Sequence, residues 1–311
     1  MTLAPDVEEY LRSVRSAPSQ HMAELGVAAA RKMVKEFEVQ YAWDPGVGTT
    51  TREATVPVKG ASIPVRVYAP PSASDGPLLP VLVWIHGGGW VLGNVDSLDT
   101  DAMCRYLSAE AGCLVVSVGY RLSPESKFPV PAEDSYAALK WAVANVEALH
   151  ADGRRVAVAG DSAGGNLAVA VCLVARDRGG PHIRFQAPIY PVIDPNTSTQ
   201  SYRLYGRGYG LDTEDMVWFW KQYLRTEEDA ADPYACPLRA KDLAGLPPAL
   251  VMTAGLDPLR DEGEAYGKRL GAAGVPTSVR RVEDMPHGFI TMPFGGAERK
   301  ELATALRGAF D

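Results

Sequence analysis

One stretch, Val156-Ala157-Val158-Ala159-Gly160-Asp161-Ser162-Ala163-Gly164-Gly165-Asn166-Leu167-Ala168, constrains the fold more than any other part of the chain. A short apolar run, a glycine-flanked serine and an apolar run with helical spacing follow one another directly. Strand, sharp turn and helix are the context in which Gly-x-Ser-x-Gly becomes a nucleophile elbow. So tight a turn leaves no room for side chains around the serine. Gly160 and Gly164 meet that demand, and Ala163 and Gly165 keep the helix start slim. Ser162 is then expected at the C-terminal end of a central strand, its Oγ exposed and a helix N-terminus beneath it. Taken alone, the pattern also suits a glycine-rich turn that merely packs.

The rest of the chain supplies the neighbours such a strand needs. Val81 to Ile85 is short and continuously apolar, as expected of a strand buried on both faces. Strands are predicted at 114–118, 156–159, 185–189, 249–253 and 278–282, and helices at 102–111, 135–149, 167–175, 261–273 and 298–310. This alternation implies an α/β fold with a mostly parallel sheet and helices on both faces. Ahead of it, Ala54 to Val58 and Ile63 to Tyr68, joined by Lys59-Gly60, read as a hairpin. Pro57 and Pro64 place that hairpin at a sheet edge, and Pro70 to Gly76 read as a loop. Residues 1 to about 45 carry helical spacing in two segments separated at Pro18. About sixty residues separate the strands ending at Ile189 and starting at Ala249, too many for a connection. They include Trp218, Phe219, Trp220 and Tyr223 on a helix opening at Asp212-Thr213-Glu214. Two readings fit: a roof over a site at the strands' carboxyl ends, or a satellite packing helix.

Composition excludes several classes. A net charge of −7 with no basic cluster argues against nucleic-acid binding. No apolar run reaches membrane-spanning length, and the first residues lack the basic start and apolar stretch of a signal peptide. Cys104, Cys113, Cys172 and Cys236 lack metal-ligand spacing and read as free thiols of a reducing compartment. A cytoplasmic protein is expected.

A serine alcohol needs a base to take its proton. Of His21, His86, His150, His182 and His287, only His287 directly follows the last strand and so reaches the sheet edge of Ser162. The orienting carboxylate is expected after an earlier strand, in the chain order serine, acid, histidine. Asp257, in Ala254-Gly255-Leu256-Asp257-Pro258, qualifies, though aspartate before proline is also an ordinary helix cap. Asp194, just past the preceding strand, competes with it. Acyl transfer further needs donors for a developing oxyanion. His86-Gly87-Gly88-Gly89-Trp90 follows the buried strand, so bare backbone amides can approach a substrate oxygen, and the Ala163 amide is the usual partner. Read as a dinucleotide loop, Gly87-x-Gly89-x-x-x-Gly93 has the wrong spacing.

These motifs, together with Tyr120-Arg121-Leu122-Ser123-Pro124-Glu125 and His287-Gly288-Phe289, resemble the hormone-sensitive lipase family. This is the bacterial-type esterase branch of the α/β-hydrolases, in its Gly-Asp-Ser-Ala-Gly subgroup. The likeness runs from about residue 60 to 305; Ser123 stands where alanine is commoner. It implies an eight-stranded sheet, with the cap formed by N-terminal residues 1–45 and an insertion at about 195–235 of a catalytic domain spanning 46–311. Position by position, it implies Ser162 as nucleophile, Asp257 as orienting acid and His287 as base. Gly88, Gly89 and Ala163 are implied as oxyanion donors, with Gly87 shaping the turn.

The expectation is a carboxylesterase acting on short to medium acyl esters through an acyl-serine intermediate, without metal or organic cofactor. Its partner is a small-molecule ester rather than nucleic acid or membrane, and a homodimer is compatible with the resemblance. A non-catalytic receptor on the same fold is the competing class, disfavoured because Ser162, Asp257 and His287 are all present. An amide or N-acyl deacetylase or a lactonase would use the same residues, because selectivity resides in cap and pocket.

Overall fold

The computed structural model describes residues 3–16, 21–71 and 76–311; Pro18 and the loop positions Ser72, Ser74 and Asp75 lie outside the described residues. Helices α1 (Pro5–Ser16) and α2 (Met22–Gln40) lead into the hairpin strands β1 (Thr50–Val58) and β2 (Ala61–Ala69). Then come β3 (Leu79–Ile85), α3 (Leu98–Ala111), β4 (Leu114–Val118), α4 (Val130–Ala144) and the single turn α5 (Val146–Leu149). They are followed by β5 (Ala151–Asp161), α6 (Ala163–Asp177) and β6 (Phe185–Ile189). Helices α7 (Gln200–Tyr205) and α8 (Thr213–Tyr223) precede β7 (Ala249–Leu256), α9 (Arg260–Ala272), β8 (Thr277–Pro286) and α10 (Gly296–Phe310).

The strands form one eight-stranded sheet in the order β1-β2-β4-β3-β5-β6-β7-β8. Only β2 runs against its neighbours. Strand side chains alternate between faces, so the sheet separates two apolar layers. Val81, Val83 and Ile85 of β3 join the layer that includes Leu139 of α4 and Leu167 of α6. Leu82 and Trp84 face the layer with Met103 of α3 and Leu306 of α10. All seven residues of β3 are buried, as its unbroken apolar run requires.

Local differences from the expected elements have identifiable causes. Helix α4 begins at Val130 rather than Ser135, because a helix accepts Pro131 in its first turn, where no intrahelical amide bond is made. It ends at Ala144, and α5 is a separate turn. Helix α3 starts four residues early through the polar turn Leu98-Asp99-Thr100-Asp101, where the acidic groups suit a helix N-terminus. Strand β2 is not an outer strand despite Pro64. Its ladder with β4 starts at Val65, so the proline's missing amide is not called upon there.

The N-terminal helices rest on the residues between β6 and β7. Met22 donates its amide to Asp215 at the start of α8 at 2.8 Å. Arg31 of α2 reaches the loops beneath, bonding Val91 O at 3.0 Å and both carboxylate oxygens of Glu125 at 2.8 Å. Among the described residues no helix is long and apolar enough to cross a membrane.

Candidate active site

Ser162 stands between β5 and α6 with φ 55° and ψ −118°, a conformation rare for any residue with a Cβ. It persists because the surroundings over-determine it. The Ser162 amide donates to Ile189 O on β6 at 2.9 Å, and its carbonyl accepts from Asn166 and Val192. A Cβ at Gly164 would lie 2.0 Å from Ile85 O, and one at Gly160 would lie 2.4 Å from the same oxygen. The end of β3 presses against the elbow from both sides, so glycine is required by contact.

His287 Nε2 lies 2.9 Å from Ser162 Oγ, and its Nδ1 lies 2.8 Å from Asp257 Oδ2. The carboxylate can only accept, so Nδ1 carries the proton and Nε2 is left with a lone pair facing the hydroxyl. Asp257 is fully buried, and its other oxygen accepts the Leu259 amide at 2.9 Å. One oxygen thus serves the turn ahead of α9 and the other the histidine; the N-cap of α9 is Leu259, which no side chain caps, so Asp257 is not the helix cap. Tyr190 packs its ring 4.7 Å from the His287 ring and limits its tilt. Asp194 instead pairs with Arg239 at 3.0 Å and accepts the Asn196 amide.

The remaining histidines take other places. His86 is buried, stacked on Tyr120 at 4.4 Å, with Nδ1 bonded to Gly87 O at 2.8 Å. Burial pushes its pKa down to about 4, outweighing that bond. His21 lies within 4.0 Å of Asp212 and Asp215, and His150 meets Gly76 O.

Gly88 and Gly89 adopt φ 96° and 58°, which lets the loop double back after β3. Val91 and Leu92 both donate to Gly88 O, closing the turn. The Phe219 ring of α8 lies against Gly89, where a Cβ would come within 2.1 Å of it. Trp90 stacks on Tyr223 at 4.0 Å, so the aromatic helix and the glycine loop form one packed unit. The aromatic helix is therefore both buried and adjacent to the site. All four cysteines are free and buried. Among the described residues no group of three His, Cys, Asp or Glu side chains is arranged to hold a metal ion.

Sequence patterning does not reveal the contact of Asp161 with Gly87 or that of Phe219 with Gly89. The Gly-Asp-Ser-Ala-Gly pattern marks Asp161 without saying which backbone it meets, and aromatic spacing alone does not say which ring meets which loop.

Residues 82–291 match the family model described as alpha/beta hydrolase fold. Among curated relatives, the carboxylic ester hydrolase LipN of Mycobacterium tuberculosis is 44% identical over 85% of this chain and 71% of its own length. Ethyl acetate hydrolase of Pseudomonas putida is 36% identical over 94% of this chain and 93% of its own. The solved hyperthermophilic esterase from the archaeon Pyrobaculum calidifontis superposes with a TM-score of 0.93 at 38% identity, covering all of both chains. Fold, motifs and relatives agree: the chain belongs to the α/β-hydrolase family, in its hormone-sensitive-lipase-like branch.

Proposed function

We propose that Ser162 is the nucleophile through which this chain hydrolyses carboxylic esters, with His287 as general base and Asp257 as its orienting acid. The chain is a carboxylic ester hydrolase. The observation that carries the residue roles is the unbroken relay from Asp257 Oδ2 through His287 to Ser162 Oγ, at 2.8 and 2.9 Å.

Ser162 Oγ attacks the ester carbonyl as Nε2 takes its proton, giving a tetrahedral oxyanion. The amides of Gly88, Gly89 and Ala163 receive that charge, Gly87 shaping their loop, and such donors act most strongly in a water-poor site. Collapse of the intermediate breaks the bond to the alkoxide, which leaves with the proton held by His287. Water then attacks the acyl-serine while His287 accepts its proton, releasing the carboxylic acid and restoring the hydroxyl.

The described residues up to 45, with about 195–235, form a cap that roofs the site. Phe219 against the donor loop supports this reading and favours short to medium acyl chains. Outer strand β8, with Val279 44% exposed, offers a surface on which a second copy could pair. Sedimentation velocity tests that assembly, a monomer at all concentrations arguing against it.

Initial rates on nitrophenyl butanoate for the native chain and Ser162→Ala test the mechanism. Loss of nearly all turnover in the variant is the expected result, and comparable rates would remove the serine from the reaction. A dodecanoyl ester cleaved faster than the butanoyl ester would overturn the chain-length assignment.

A further inference from the structure

A carboxyl group sits where the elbow and the donor loop meet. Asp161, the last residue of β5, accepts the Gly87 amide through Oδ1 at 3.0 Å, joining positions 74 apart in sequence. The approach is close. A Cβ at Gly87 would lie 2.4 Å from Asp161 Oδ2 and 3.0 Å from its backbone oxygen. Gly88 and Gly89 have left-handed backbones that call for glycine, but Gly87 is not among the residues with positive φ. What excludes a side chain at position 87 is Asp161 itself. The two residues are a matched pair across the site.

We propose that Asp161 is a positioning residue for the oxyanion hole, its carboxyl group clamping the Gly87 amide so that the Gly88 and Gly89 amides stay in register with Ser162 Oγ. This rests on the serine mechanism proposed above. Asp257 already serves His287, so the relay does not use this second carboxyl group. Its hydrogen bond runs to the loop instead. Donor placement is where catalysis is most sensitive, since loss of one oxyanion donor costs about 10²–10³ in kcat and a misplacement of about 1 Å about 10².

The clamp is also titratable. The groups that act electrostatically on Asp161 are Asp99 and Cys104 from α3, Tyr120 after β4, Tyr190 after β6 and His287 after β8. Burial pushes its pKa up to about 7, the Asp99 carboxylate adds to the rise, and His287 opposes it. Asp99 is itself pushed up to about 6 by burial and by the charge of Glu38. Protonated or ionised, Asp161 keeps an oxygen able to accept the Gly87 amide, but only the ionised form sets a negative charge beside the donor loop. Protonation of Asp161 therefore removes that charge without removing the Gly87 hydrogen bond.

The test compares native enzyme, Asp161→Ala and Asp161→Asn on nitrophenyl butanoate across pH. Inhibition constants are measured for a trifluoromethyl ketone, which forms an oxyanion on the serine, and for butanoate, which does not. Asp161→Ala is expected to lose about 10- to 100-fold in kcat with KM within about threefold, and the ketone to weaken by a similar factor while butanoate does not. Asparagine keeps an acceptor oxygen and cannot titrate. Its kcat is expected to recover to within several-fold of native, because the Gly87 hydrogen bond is kept. An Asp161→Ala kcat within threefold of native overturns the proposal. So does a loss shared equally by ketone and butanoate and not recovered by asparagine, the signature of general disturbance. If the alanine variant does not fold, Asp161→Ser, whose shorter side chain withdraws the acceptor, takes its place with the same two inhibitors, and a kcat within threefold of native overturns the clamp. An inactive Ser162→Ala beside a fully active Asp161→Ala sinks only this inference, whereas an active Ser162→Ala sinks the mechanism beneath it.

Discussion

Replacing Asp257 by asparagine separates the proposed relay from its alternatives. Each carboxylate oxygen accepts one N–H, Oδ2 from His287 at 2.8 Å and Oδ1 from the Leu259 amide at 2.9 Å, in a fully buried place. Asparagine offers one acceptor and one donor. With its oxygen toward His287, its NH₂ would face the Leu259 amide, donor against donor, at a cost of about 1–3 kcal/mol in a dry interior. With the oxygen toward Leu259, every hydrogen bond is made, but NH₂ donates to Nδ1 and the ring proton moves to Nε2. The second arrangement is therefore preferred, and the ring can no longer take the Ser162 proton. The analogous change in a serine protease triad costs about 10⁴ in kcat, and the same wrong-tautomer mechanism sets the expectation here at about 10³–10⁴, or about 4–5.5 kcal/mol of transition-state stabilisation. The fold should survive, because the isosteric side chain fills the same space, so melting temperature serves as the control. Asp194→Asn, measured in parallel, should stay within about threefold of native kcat, since that carboxylate pairs with Arg239 and not with the ring. A loss below tenfold for Asp257→Asn, or an equal loss for Asp194→Asn, refutes the relay.

Other substitutions probe the surroundings. The folded pKa of buried His86, about 4, lies below its ordinary 6.5. Stability from the neutral ring is therefore complete above pH 6.5 and lost as pH falls toward 4, about 3 kcal/mol in all. Urea midpoints of His86→Asn should show a correspondingly flatter acid decline, and an unchanged slope would show that the ring does not contribute. Phe219→Ala opens the wall beside Gly89 and should cost about 3–5 kcal/mol of stability while moving the preferred acyl chain longer, read from melts and a nitrophenyl ester series. Gly164→Ala would drive a methyl group to 2.0 Å from Ile85 O, so kcat should collapse or folded protein fail to accumulate; a normal variant would mean that β3 does not brace the elbow.

The strands easiest to read were those whose cause is local. β4 and β6 have their expected bounds because each is a five-residue run within a helix–strand alternation. Helix starts were harder. α3 and α4 open on polar or proline-containing turns that carry no apolar period, although they are good N-terminal chemistry. Of the candidate residues, His287 followed from its place after the last strand. Between Asp257 and Asp194, both of which follow strands of the same sheet, the chain order of strands favours Asp257, though it says nothing of which carboxylate reaches the ring.

The sequence by itself determined the alternation of strands and helices, the strained turn around Ser162 and the glycine-lined loop, since each follows from residues within one turn or strand of each other. Tertiary structure alone decided the partners. His287 meets Ser162 across 125 positions and Asp257 across 30, while Asp161 meets Gly87 and Phe219 meets Gly89 across still other loops. Those contacts depend on strand order and on how the cap helix packs over the sheet edge. Both are set by the summed burial of side chains from the whole chain, which no local pattern encodes.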